Sequence, residues 1–155
     1  MLALYDNREV LTIAKVDTTH SVRLALEVGQ HRLPHAGACS KVLMAHLPAD
    51  EIEAILAEKG LPKLCTNTIV NRDELQAELA RIRRQGYATS SEETGTDTWG
   101  VAAPIRGRDD EVIAAIGVVG PALRYSPDLV RRYIELSRLA ADRISRVITT
   151  GIPSQ

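Results

Sequence analysis

The stretch LPHAGACSKVLMAHL, residues 33–47, holds the side chains in this chain best suited to chemistry. It sets His35 four residues ahead of Cys39 and places Gly37, Ala38 and Ser40 at the entry to a short apolar helix. A nucleophilic cysteine needs a base, an orienting partner and a cause for a lowered thiol pKa. A helix N-terminus supplies part of that, and His35 is the nearest base. However, His35 precedes the helix, so its reach to Cys39 does not follow from helical spacing, and unpaired cysteines are commonly buried. The same residues also suit binding. Unpaired N–H groups at a helix start, aided by the dipole, hold carboxylates without a lysine or arginine, and small residues let a ligand approach that backbone. Many helices also begin with small residues for packing alone, so the residues leave the corner open between packing and binding; His35 is read as bonded to backbone to fix the turn. Cys65, in LPKLCTNT, would support thiol redox chemistry only if it lay close to Cys39.

The elements that must position this corner follow from periodicity. LALY and VLTIAKV, separated by Asp6-Asn7, predict a hairpin, and VRLALEV alternates with Val22, Leu24, Leu26 and Val28 on one face. Three helices follow, one in AGACSKVLMAHL, one in PADEIEAILAEKG and one in NRDELQAELARIRRQG. The last has Asn71 as N-cap, the stripe Leu75, Leu79 and Ile82, and Gly86 as its stop. GYATS, WGVAAPI and VIAAIGVVG predict three more strands, and Ser126 with Pro127 opens a long closing helix. Its buried stripe is Val130, Tyr133, Ile134, Ser137, Ala140, Ala141, Ile144 and Val147. The order βββαααβββα describes an α+β domain with a largely antiparallel sheet of about six strands. One domain over residues 1–150 and a loose tail over 151–155 are expected.

At 155 residues, 45% hydrophobic and 25% charged, the chain has the size and balance of a globular domain. Its net charge of −1 provides no basic field to draw it to nucleic acid. The basic run RIRRQG closes a helix, where cations suit the dipole. Two cysteines are too few for a disulfide framework, no apolar run reaches membrane-span length, and no His/Cys/Asp/Glu spacing suggests a metal. A cytoplasmic protein without cofactor or membrane partner is expected.

Several stretches resemble the C-terminal effector-binding domain of the IclR family of bacterial transcriptional regulators. They are EVGQHRLPHAGACSK, then IRRQGYA, the Glu92-Glu93 pair and AAPI, in order and spacing across roughly residues 2–148. The resemblance implies a GAF-like fold, a pocket for a small organic molecule, and assembly into dimers or tetramers. It also implies a winged helix-turn-helix domain ahead of this one, through which DNA would be bound, and which this sequence lacks. Carried across by the resemblance, Ala38 and Cys39 are expected at the effector, together with Ser90, Gly100, Gly117 and Val119. Relatives that sense small polar acids carry polar side chains at the last four positions, and three of these four are glycine or valine here. Gly100 and Ala102 share one strand face, as do Ala115, Gly117 and Val119, and Leu24 could add an apolar wall. We therefore expect a roomy, dry pocket for an organic acid with an apolar or aromatic body. A domain with a filled interior would instead be a plain interaction module. Trp99 suits either a lid or a subunit contact, and Glu92-Glu93 is expected as a solvated loop face.

Overall fold

The computed structural model describes residues 1–17 and 26–151. Strands β1 (Leu2–Asp6) and β2 (Glu9–Ala14) form the first hairpin. Its turn lies at Asn7 and Arg8, both at positive φ, one residue later than the sequence suggested. Two left-handed residues match the twist of the flanking strands. Of the expected strand 22–28, residues 22–25 lie outside the described residues, Leu24 among them. Leu26 and Glu27 are irregular and lead to a turn at Val28 and Gly29, with Gly29 at φ +87°. Pairing with β2 then falls on the short strand β3 (His31–Arg32), in register Val10↔Arg32 and Leu11↔His31.

Helices α1 (Ala38–Ala45), α2 (Ala49–Lys59) and α3 (Arg72–Gln85) follow. The Asn71 side chain caps α3 by accepting from the Glu74 N–H, and Gly86 ends it in the left-handed conformation. Strands β4 (Ala88–Ser91), β5 (Thr98–Arg106) and β6 (Val112–Pro121) complete an antiparallel sheet of order β3-β2-β1-β6-β5-β4. A short 3₁₀ turn, Ala122–Arg124, leads to α4 (Pro127–Thr150), capped by the Ser126 hydroxyl on the Leu129 N–H.

The helices divide between the two faces of the sheet. One core joins Val42, Leu43 and Met44 of α1 and Leu75, Leu79 and Ile82 of α3 to Ala3, Val10, Ala88, Ala102 and Ala115 of the sheet. The other joins Ala141, Ile144 and Ile148 of α4 to Ala103, Ile105, Ala114 and Ile116. Strand alternation places Ala102 and Ala103 on opposite faces. On α4, Ser137 and Ala141 are the buried residues, while Val147 stays exposed at 46%.

The small residues of the sheet let α1 sit close to it. A Cβ on Gly117 would lie 2.4 Å from the Val101 carbonyl oxygen and 2.9 Å from Cys39 Sγ. The glycine face of β6 is therefore filled by Cys39 rather than left as open volume. Trp99 is buried, donating Nε1–H to the Pro121 carbonyl at 3.0 Å and lying 5.8 Å from the Tyr133 ring. It is a core anchor between β5 and α4, neither a lid nor an exposed contact.

Candidate functional site

Gly37 at φ +92° turns the chain into α1, a conformation that side-chain-bearing residues rarely adopt. His35, buried just ahead of it, engages the Pro62 carbonyl through Nε2 at 3.0 Å, and burial lowers its pKa. The histidine thus ties the corner to the segment after α2.

The Gly37 N–H donates to Glu93 Oε2 at 2.9 Å. Glu93 Oε1 accepts from Lys41 Nζ at 2.6 Å, and Lys41 also reaches Glu78 Oε1 at 3.0 Å and the Thr89 carbonyl at 2.9 Å. Lys41 is 2% exposed and Glu93 7%. The expected solvated loop face is therefore corrected for Glu93. Its carboxylate closes over the start of α1, where it shares with Glu78 the charge of the buried Lys41.

Beyond Gly37, the first-turn N–H groups of Ala38, Cys39 and Ser40 take no hydrogen bond among the described residues, and the next, Lys41, bonds back to Gly37. A cavity of about 50 Å³ opens there. Ala38, Cys39, Ser90, Gly100 and Val119 line it, with Arg32, Ser40 and Thr94. Gly117 stands apart from the lining, held against Cys39 as described, and Leu24 lies outside the described residues. Gly100 keeps the floor open, since a Cβ there would meet Ser90 Oγ at 3.0 Å and Ala38 Cβ at 3.6 Å.

The cavity is small because Cys39 fills the space that Gly117 would otherwise leave. Larger hollows elsewhere are open grooves, such as the one of about 510 Å³ lined by residues of α4 and β5, including Arg106, Arg138 and Arg146. The cavity under α1 differs in having unpaired backbone donors at its wall.

Cys39 is buried, and burial pushes its thiol up to about 11. The thiol is protonated at neutral pH, the opposite of what a nucleophile needs. Cys65 is also a free thiol, with its N–H on Thr68 Oγ1 at 2.8 Å. Among the described residues, no group of three His, Cys, Asp or Glu side chains could hold a metal, and no helix is long and apolar enough to cross a membrane.

Arg32 was missed by sequence reasoning, which looked for an anion site without a cation. It reaches the cavity because β3 begins only after Gly29, where the alternating pattern of residues 22–28 has already ended.

Comparison with known proteins agrees with this architecture. The family model described as bacterial transcriptional regulator IclR C-terminal matches residues 1–146. The HTH-type transcriptional regulator KipR of Bacillus subtilis is 31% identical over 147 residues, covering 95% of this chain and 59% of that protein. The chain thus spans little more than half the length of this relative. Among solved structures, the Thermotoga maritima IclR superposes with a TM-score of 0.89 at 28% identity, over 96% of this chain and 60% of that one. An IclR homolog from Microbacterium hydrocarbonoxydans, complexed with 4-hydroxybenzoate, gives 0.86 at 26% identity, over 97% and 60%. With the family match spanning nearly the whole chain and the same fold in these structures, the chain belongs to the IclR family of bacterial transcriptional regulators, as its C-terminal type of domain.

Proposed function

We propose that this domain senses a small organic acid in the cavity under α1 and passes the binding event to DNA-binding domains of a regulator. The observation that carries the reading is the first turn of α1, where residues 38–40 line a cavity and their N–H groups take no hydrogen bond among the described residues. A carboxylate would satisfy those donors and the positive end of the helix dipole together. The complex of the Microbacterium homolog with 4-hydroxybenzoate supports an aromatic acid as the class to test first.

The size of the cavity adds a mechanism. A cavity that holds benzene is about 150 Å³, three times the present about 50 Å³. An aromatic acid must therefore move the walls as it enters. The wall that carries Thr94 belongs to the turn tied to α1 through Glu93, so displacement there also loads the Lys41 cluster. Effector binding would shift the population between a closed and an opened domain, and the free energy available is the differential affinity for the two. Burying about 100 Å² of apolar ring would contribute about 2.5 kcal/mol toward opening.

In the whole regulator, a winged helix-turn-helix domain ahead of residue 1 would read the operator, and homodimers or tetramers would relay the change in the cytoplasm. The sensing domain would span residues 1–150, followed by a short tail. The protonated Cys39 supports a binding role over thiol chemistry.

Thermal-shift titration with 4-hydroxybenzoate, benzoate, pyruvate and glyoxylate tests the reading. Aromatic acids are expected to raise the melting temperature more than two- or three-carbon acids. If glyoxylate or pyruvate stabilises more, the apolar-body argument fails. If none of the four acts, the domain is better read as an interaction module.

A further inference from the structure

We propose that Arg32 is the charge-recognition residue of the cavity, its guanidinium pairing with the carboxylate of an acid held at the start of α1. This rests on the reading of the cavity as the effector site, and adds the residue that would select acids over uncharged analogues.

Arg32 lines the same cavity as the unbonded N–H groups of residues 38–40. Its backbone position is fixed, since β3 pairs with β2 in the register Val10↔Arg32. The guanidinium is half-buried, and its Nε is buried without any hydrogen-bond partner. Among the described residues its side chain bonds from an Nη to Gln30 Oε1 at 2.8 Å, a neutral amide that brings no compensating charge. No carboxylate lies within ion-pair distance of it among the described residues. The Cys39 thiol is the acidic group that interacts with it, and burial keeps that thiol neutral.

Lys41 is the contrasting case. That buried cation has two carboxylates and a carbonyl around it. Folding has surrounded the buried Lys41 with carboxylates, and has left the half-buried Arg32 with an unbonded Nε and, among the described residues, no carboxylate. An arginine presents five donors in a rigid fork that fits a carboxylate in two parallel bonds. An entering carboxylate would fill the vacant Nε position, neutralise the guanidinium and still lie against the helix start. A neutral amide or alcohol of the same shape would leave the charge uncompensated. Discrimination would therefore come from charge, with the apolar wall reading the rest of the molecule.

The test uses benzoate with benzamide, and 4-hydroxybenzoate with 4-hydroxybenzamide, on the wild-type domain, Arg32→Gln and Arg32→Lys, by calorimetric and thermal-shift titration. Wild type should bind the acids and discriminate against the amides. Arg32→Gln should lose about 10- to 100-fold in acid affinity, the scale of charge-assisted hydrogen bonds, and Arg32→Lys should fall between. Without ligand, Arg32→Gln should melt at or above the wild-type temperature, because an uncompensated charge has been removed. A merely structural arginine would lower it, and that result overturns the proposal. Equal acid binding by wild type and Arg32→Gln, or equal binding of acid and amide by wild type, also overturns it while leaving the sensor reading intact. No binding of either acid to wild type would reject the proposal and the aromatic-acid reading together.

Discussion

Replacing Lys41 by methionine isolates the electrostatic element that holds the start of α1. Methionine retains the length of the aliphatic stem, so the side chain at this 2%-exposed position still fills its space. What is lost is the cation between Glu93 (2.6 Å), Glu78 (3.0 Å) and the Thr89 carbonyl (2.9 Å). The two carboxylates fare differently. Glu78 keeps Arg81, whose Nε and Nη donate to it at 2.8 and 2.9 Å. Among the described residues Glu93 keeps the Gly37 N–H as the hydrogen-bond partner of its carboxylate and becomes a buried charge without an ion pair. Breaking a buried pair costs about 3–5 kcal/mol, and with one of two carboxylates still paired we expect the lower end. For a domain of this size, about 3 kcal/mol lowers the melting temperature by about 9 °C. Urea unfolding at pH 7, in low and high salt, measures it, and the loss should barely depend on salt because the pair is buried. Adding Glu93→Gln to Lys41→Met should restore most of the stability, since the stranded charge is gone. Acid should act in the same direction. Burial tends to raise the pKa of Glu78, but Lys41 and Arg81 outweigh it and hold it below the ordinary 4.5. Its contribution is therefore present above pH 4.5 and lost as pH falls through the depressed value, a dependence that Lys41→Met should weaken. A loss under about 1 kcal/mol, the scale of an exposed pair, or a double variant no better than the single one, refutes the reasoning.

Other consequences follow from the geometry of the corner and the sheet. In the native domain at pH 8, Cys65 should react with a thiol reagent while Cys39, buried with its pKa near 11, stays silent until unfolding; rapid labelling of both would contradict that burial. Gly117→Ala should destabilise the domain by about 1–3 kcal/mol by chemical denaturation, because its Cβ would press on the Val101 carbonyl at 2.4 Å. A neutral effect there would mean that β5 and β6 do not approach as closely at this glycine as the Val101 carbonyl distance requires. Burial lowers the pKa of both His35 and His46 below 6.5, so their neutral forms stabilise the fold above that pH. Stability should therefore fall as pH drops through 6.5 toward their folded values, and the His35→Gln/His46→Gln variant should show a flatter urea midpoint between pH 7.5 and 5.5.

Local signals carried much of the fold into the sequence. Asn71 and Ser126 announce their helices through side-chain caps, and Gly86 ends α3 by a conformation that glycine adopts readily. The stripe Leu75, Leu79 and Ile82 reads as buried because its helical spacing is complete in itself. What stayed hidden depended on partners far along the chain. Glu93 looks like any loop acid until folding brings Lys41, 52 residues earlier, into contact. Trp99 takes its meaning from Pro121 and Tyr133, and Gly117 from Cys39. Arg32 was overlooked because a two-residue strand leaves no periodic trace. For the site, the family resemblance supplied positions that spacing alone could not. Ala38, Cys39, Ser90, Gly100 and Val119 converge on one cavity from a helix and three strands.

The central claim is that a carboxylate docks on the first turn of α1. Amide chemical shifts of the nitrogen-15-labelled domain, followed during titration with 4-hydroxybenzoate, test it most directly. The account predicts saturable shifts that are largest at Ala38, Cys39 and Ser40, with smaller ones at Thr94 and Gly100. Saturable shifts confined to the outer groove around Arg106, Arg138 and Arg146, with residues 38–40 unmoved, would contradict it.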